Sequence, residues 1–140
     1  MKSHLSEPAA WSKHFDLDLK FGQEGEQWLK LLGNEQKIEV KRERDTWAKT
    51  GNIFFELLHK GNPSGIAATT SQFWAHILSL NGVPQGVLIF SVPILKHNLR
   101  RLARCGSIRQ IDGGDGGGST GYLVPLALSH ELLKPMEVSK

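Results

Sequence analysis

The sequence predicts an α/β domain, a mixed central β-sheet flanked by helices, and three observations lead there. Apolar residues recur at helical spacing in residues 23–32 and again after Pro93. Between those stretches lie several short runs that alternate or are apolar, each bounded by turn residues. A last short run, "YLVPLAL", follows the second helical pattern. Helix, several strands, helix and strand is an order suited to one mixed sheet with helices packed on it.

Each element has its own warrant. Residues 1 to about 20 read as an irregular N-terminal arm, since Pro8 and "DLD" disfavour a long helix. In residues 23–32, Trp28, Leu29 and Leu32 fall on one helical face, and Gly33-Asn34 supplies a stop. Residues 38–43 alternate strictly, as a strand with unlike faces does, and "IFFELL" has the bulky, β-branched and aromatic character of a buried strand. "RDTWAKTG" is read as the connection between them. "GNPSG" is a turn, "SQFWAHIL" a third strand, "NGVPQG" a turn and "GVLIF" a fourth strand. Leu95, Leu99 and Leu102 mark the second helix, "DGGDGGGSTG" is loop, and "YLVPLAL" is a short strand or edge segment carrying Pro125.

A chain of 140 residues is long enough for one core and too short for two, so a single domain over 1–140 is expected. Hydrophobic content of 39% with 22% charge is that of a globular protein, and no apolar stretch approaches the roughly 20 residues that span a bilayer, so no membrane partner is expected. The start "MKSHLSEPAAWSKHF" lacks the apolar core of a secretory signal. A single Cys105 excludes an internal disulfide and a cysteine-rich zinc site. A reducing, cytoplasmic setting is the expectation.

The net charge of +3 is unevenly spread. Between residues 94 and 111 stand Lys96, Arg100, Arg101, Arg104 and Arg109, with no acid among them. Such a stripe suits a polyanion such as nucleic acid; a solvated helix face is the other reading. Arg42, Arg44 and Lys49 form a second basic group around the connection after residue 43.

Charge on the early strands is more specific. Glu39, Lys41 and Glu43 project from one side of their strand, while Ile38 and Val40 project from the other. Glu56 lies between Phe54 and Leu58 on its own strand face, with Ile53, Phe55 and Leu57 opposite. If the two strands are neighbours, Glu56 can face Glu39 and Glu43, with Lys41 the nearest cation. A solvated salt-bridge ladder explains an E-x-K-x-E strand but not an acid inside "FFELL", which requires a partner. Crowded carboxylates repel unless neutralised, and hard oxygen ligands of this kind suit Mg²⁺ or Mn²⁺.

An early helix with a glutamate, then an acid on one strand and a second acid on the next with a lysine close by, resembles the PD-(D/E)xK nucleases. This restriction-endonuclease-like core is shared by many phage nucleases and Holliday-junction resolvases. The likeness covers residues 22–74, through "GQEGEQWLKLL", "EVKRERDTWAKTGNIFFEL", "PSGI" and "FW", and "GGDGGGSTGYLVP" is also similar. It implies Glu26 as the helical acid, Glu43 (or Glu39 in another register) as the first strand acid, and Glu56 as the second. Leu58 stands where the motif places its lysine, so Lys41 is assigned that task, with Lys60 as second candidate. An alternative register takes Glu39-Val40-Lys41 as the E-x-K element with Asp16 or Asp18 as the earlier acid. The implied activity is Mg²⁺-dependent hydrolysis of a DNA phosphodiester. Glu43 and Glu56 hold the ion, and Glu26 or Glu39 ligates through water or a second ion. A host-cell cytoplasm is implied if the chain is phage-encoded.

Other features carry plainer readings. The glycine-rich loop lacks the order of a phosphate-binding loop, and His76 in "FWAHIL" reads as a core histidine. Trp47 either stacks on bases or packs under a loop, and Asn52 and Ser64 either touch phosphate or serve turns. Three functions follow: a junction-resolving or sequence-selective (homing or recombination) endonuclease, a DNA-binding module without chemistry, and an interaction protein. A two-fold homodimer suits cutting of branched or duplex DNA on both strands.

Overall fold

The computed structural model of the protein describes residues 19–20, 22–27, 29–30, 33, 37–113 and 117–137. The chain divides into two compact units, Met1–Glu35 and Gln36–Lys140. In the first, residues 19–20, 22–27 and 29–30 are helical, within and just before the stretch expected to be a helix. Trp28 and Leu32, most of the expected arm, and both Asp16 and Asp18 of the alternative register lie outside the described residues.

The second unit is mixed α/β and holds seven described strands in two sheets. They are β1 (Ile38–Glu43), β2 (Asn52–His59), β3 (Asn62–Pro63), β4 (Phe73–Leu80), β5 (Val83–Ser91), β6 (Arg109–Gly113) and β7 (Ser119–Pro125). The first sheet has three strands in the order β1-β4-β5, with β1 parallel and β5 antiparallel to β4. The second has four antiparallel strands in the order β3-β2-β7-β6. A mixed sheet is therefore present, but the expectation of one sheet is corrected to two. β1 and β2 are not neighbours: β1 pairs in parallel with β4, a pairing that needs a long crossover, and that crossover carries β2 and β3 of the other sheet.

Local chemistry explains the smaller corrections. "RDTWAKTG" is not all loop, since Trp47–Thr50 makes one helical turn. "NGVPQG" contributes only Asn81 and Gly82 to a turn, both at positive φ, and this closes a tight hairpin of β4 on β5. Pro84 is tolerated inside β5 because β5 is an edge strand. Lys60 and Gly61 make the matching turn between β2 and β3, so Asn62 and Pro63 of "GNPSG" belong to a strand. "DGGDGGGSTG" is not all loop: Asp112 and Gly113 end β6, Ser119, Thr120 and Gly121 begin β7, and the two strands pair there.

The long helix Val92–Arg104 begins with proline in its first turn and buries Val92, Leu95, Asn98, Leu99 and Leu102 at helical spacing. Its buried face joins Ile53, Phe55 and Val124 of the second sheet and Trp74 and Phe90 of the first in one core. A 3₁₀ segment, Leu126–Leu133, closes that core through fully buried Leu132. Asn98 donates to the Leu132 and Lys134 carbonyls at 3.0 and 2.9 Å, which anchors the segment to the helix. Among the described residues no helix is long and apolar enough to cross a membrane.

Candidate functional site

The register of β1 on β4 decides where its charges go. Glu39 pairs with Trp74, Lys41 with His76 and Glu43 with Leu78, and residues paired across a ladder share a face. Trp74 and His76 are buried, at 2% and 0% exposure. The charged side of β1 is thus the inward one, and Val40 on the other side is 60% exposed. A strand that turns its carboxylates inward and its valine outward reverses the usual pattern, and such reversals gather at functional sites.

Lys41 and Glu43 open into a cavity of about 670 Å³ whose far wall is the second sheet. On β2, Ile53 and Phe55 face the core, while Asn52, Phe54 and Glu56 face the cavity. A bulge between Glu56 and Leu58 ends the regular alternation just beyond the acid. Two glycines let the neighbouring chain lie against it. A Cβ on Gly121 would meet the Phe55 carbonyl oxygen at 2.2 Å, and one on Gly65, at φ +53°, would meet the Glu56 carbonyl oxygen at 2.5 Å.

Glu56 has protein partners on both oxygens. Ser119 donates to Oε1 at 2.6 Å and Ser64 to Oε2 at 3.1 Å. His59 Nδ1 lies 3.1 Å from Ser119 Oγ and 3.6 Å from Oε1. The Ser119 hydroxyl holds the Glu56 carboxyl below the ordinary glutamate range; partial burial pushes it up, and Ser64, Lys41 and His59 add to the lowering. Ser119 stands between acid and imidazole, unlike a nucleophile activated by a histidine that an acid orients.

Glu43 is held differently. Its Oε2 accepts from His76 Nε2 at 2.5 Å and from the Phe54 backbone N–H at 3.3 Å. The second bond ties the end of β1 to β2 across the two sheets. Glu39 is half-buried, accepts from the Thr69 hydroxyl and is not among the described lining residues of the cavity. Glu26 is helical and belongs to the first unit.

The residues expected to touch DNA divide into groups. Arg42, Arg44, Asn52 and Ser64 line the cavity, although Arg42 also donates to Ser79 Oγ at 2.9 Å and to the Gly82 carbonyl at 2.6 Å. Trp47 packs against the core and donates its indole N–H to the Ser79 carbonyl at 2.8 Å, which gives it a structural task. Lys49 is exposed on the same helical turn. Along the long helix Arg100 and Arg104 are exposed and Lys96 half-buried. Arg101 is turned to the C-terminal segment, where it binds the Glu131 carboxylate at 2.9 Å, and Arg109 is exposed on β6. Lys60 is exposed at the β2–β3 turn.

Sequence reasoning missed His59, Ser119 and Thr69 as partners of these acids. His59 carried no signal: three residues along a strand fall on opposite faces, and only the bulge between Glu56 and Leu58 brings the two together. Ser119 carried none, because only the pairing of β2 with β7 brings it to Glu56.

Among the described residues no three acid, imidazole or thiol groups converge as a ready-made cage. Two carboxylates, Glu43 and Glu56, do share one open cavity, and Mg²⁺ commonly takes one or two carboxylates and completes its shell with water and substrate phosphate. Glu43 and Glu56 are the carboxylates that this cavity offers to such an ion. Comparison with protein-family models, curated proteins and solved structures finds no match for this chain.

Proposed function

We propose that the protein is a Mg²⁺- or Mn²⁺-dependent endodeoxyribonuclease of the restriction-endonuclease-like group it resembles, acting on branched or sequence-specific DNA as a two-fold homodimer in the cytoplasm. One observation carries the reading: β1 turns its charged face inward, so that Lys41 and Glu43 share a single cavity with Glu56. Glu43 and Glu56 are the residues that would hold the ion. When bound, the ion supplies Lewis-acid polarisation of the phosphodiester and a more acidic water. Lys41 would orient an attacking water and offset charge developing on the phosphate. Arg44 and Asn52 on the cavity wall position the backbone of the substrate.

A second reading, a DNA-binding module without chemistry, is favoured by the serine hydroxyls on both oxygens of Glu56, which satisfy that acid without an ion. Cleavage assays decide between the two. Supercoiled, linear and four-way-junction DNA are incubated with the protein in Mg²⁺ and in EDTA, beside Glu56→Gln and Lys41→Ala. The nuclease reading expects cleavage in Mg²⁺ alone, lost in both variants while DNA affinity is kept. Binding without cutting by the wild type establishes the module instead, and cutting by Glu56→Gln at the wild-type rate removes this active site.

A further inference from the structure

We infer that His76 is the positioning residue for Glu43, fixed in one tautomer by Trp74; the inference rests on the nuclease reading above. Trp74 Nε1 can only donate, and it lies 3.1 Å from His76 Nδ1. Nδ1 is therefore the acceptor, and the ring proton sits on Nε2. Nε2 in turn lies 2.5 Å from Glu43 Oε2 and donates to it. The order Trp74 to His76 to Glu43 has a single direction, set by the indole.

The surroundings keep that order rigid. His76 is fully buried, and Trp74 is 2% exposed. The Phe55 ring packs on the imidazole at a centroid distance of 4.9 Å, and the indole lies beside it with the ring planes 29° apart. His76 and Trp74 sit two residues apart on β4, on the face shared with Lys41 and Glu39, so the sheet itself holds the relay. The Phe54 N–H adds a second donor to the same oxygen. Both donors lie on Oε2, so the carboxylate is held in place from that side. Hydrogen bonding behind a ligating carboxylate orients it, and losing such a partner typically weakens metal binding or activity by about 10- to 100-fold.

The test uses the whole chain. In the metal-free wild type, the imidazole ¹⁵N spectrum of His76 should show the Nε2–H tautomer alone, and Trp74→Phe should give a mixture. His76→Phe keeps a planar ring but deletes the donor. It should weaken Mn²⁺ binding and lower kcat by about 10- to 100-fold with KM for DNA unchanged. His76→Gln, which places an amide N–H near the Nε2 position, should recover most of that loss, whereas His76→Asn should not. Melting temperatures separate these effects from misfolding. An Nδ1–H or mixed tautomer in the wild type overturns the inference, even if His76→Phe fails to fold. So does a His76→Phe protein that binds Mn²⁺ and cuts DNA as the wild type does, and in that case the nuclease reading survives. A wild type that neither binds Mn²⁺ nor cuts DNA removes both.

Discussion

Glu56 answers for its place in an apolar run through its own hydrogen bonds. Ser119 and Ser64 donate to its two oxygens, and Lys41 and His59 lie near enough to favour its charge. Its folded pKa is lowered, so it stabilises the fold above its unfolded pKa of about 4.3, and that contribution is lost as pH falls through the lower folded value. Ser119→Ala removes the largest of the lowering causes and should cost about 1 kcal/mol at neutral pH. Urea titrations of wild type and Ser119→Ala, taken from neutral pH to about pH 3, should show the difference shrinking in acid. A difference that stays constant over that range would mean that the serine acts through something other than the ionised carboxylate.

At the scale of elements, the bulge in β2 and the glycines beside it do what the acid alone cannot. Gly121 faces Glu56 across the β2–β7 ladder, and a methyl group there runs into the Phe55 carbonyl and, at 2.7 Å, the Phe54 ring. Gly121→Ala should destabilise the chain by about 1–3 kcal/mol, the usual cost of overpacking. It should also shift the Glu56 side chain, visible as a changed carboxyl ¹³C resonance; wild-type stability with an unmoved resonance would show that the strands spread without cost. β1, β2, β4 and the long helix were legible because period-2 alternation, bulky runs and leucines at helical spacing are local signals. Pairing is not local. Alternation on β1 separated its two faces but could not say which one turns inward, and that choice is made by Trp74 and His76 on a strand far along the chain. The same gap hid the second sheet and, with it, the link between Ser119 and Glu56.

For the whole molecule, the two sheets and the long helix share one core, and Phe55 of the second sheet packs against Trp74, His76 and Phe90 of the first. This shared core lets residues far apart in sequence meet at one cavity, and among the described residues it turns Arg100 and Arg104 of the helix outward. Arg100 and Arg104 stand exposed on that face one turn apart, lining a shallow groove with His97 and Cys105. Arg101, expected to join them, is drawn to Glu131, whose carboxyl is held below its usual range by Lys134 and Arg101 together. Arg100 and Arg104 are the exposed members of the basic stripe expected on this helix, with half-buried Lys96 one turn earlier and Arg101 at the edge of the same groove. Each residue that neutralises a phosphate adds about one to the slope of log affinity against log salt. Arg100→Ala combined with Arg104→Ala should weaken binding to all DNA sequences alike and flatten that slope by about 2. Arg101→Ala should also lower stability, because it removes the Glu131 contacts that join Asn98 in holding the C-terminal segment to the helix. Fluorescence anisotropy on one duplex across a salt series measures each effect beside a melting curve. If the double variant keeps the wild-type slope, the phosphate track lies at the cavity, on Arg44 and neighbouring Lys49.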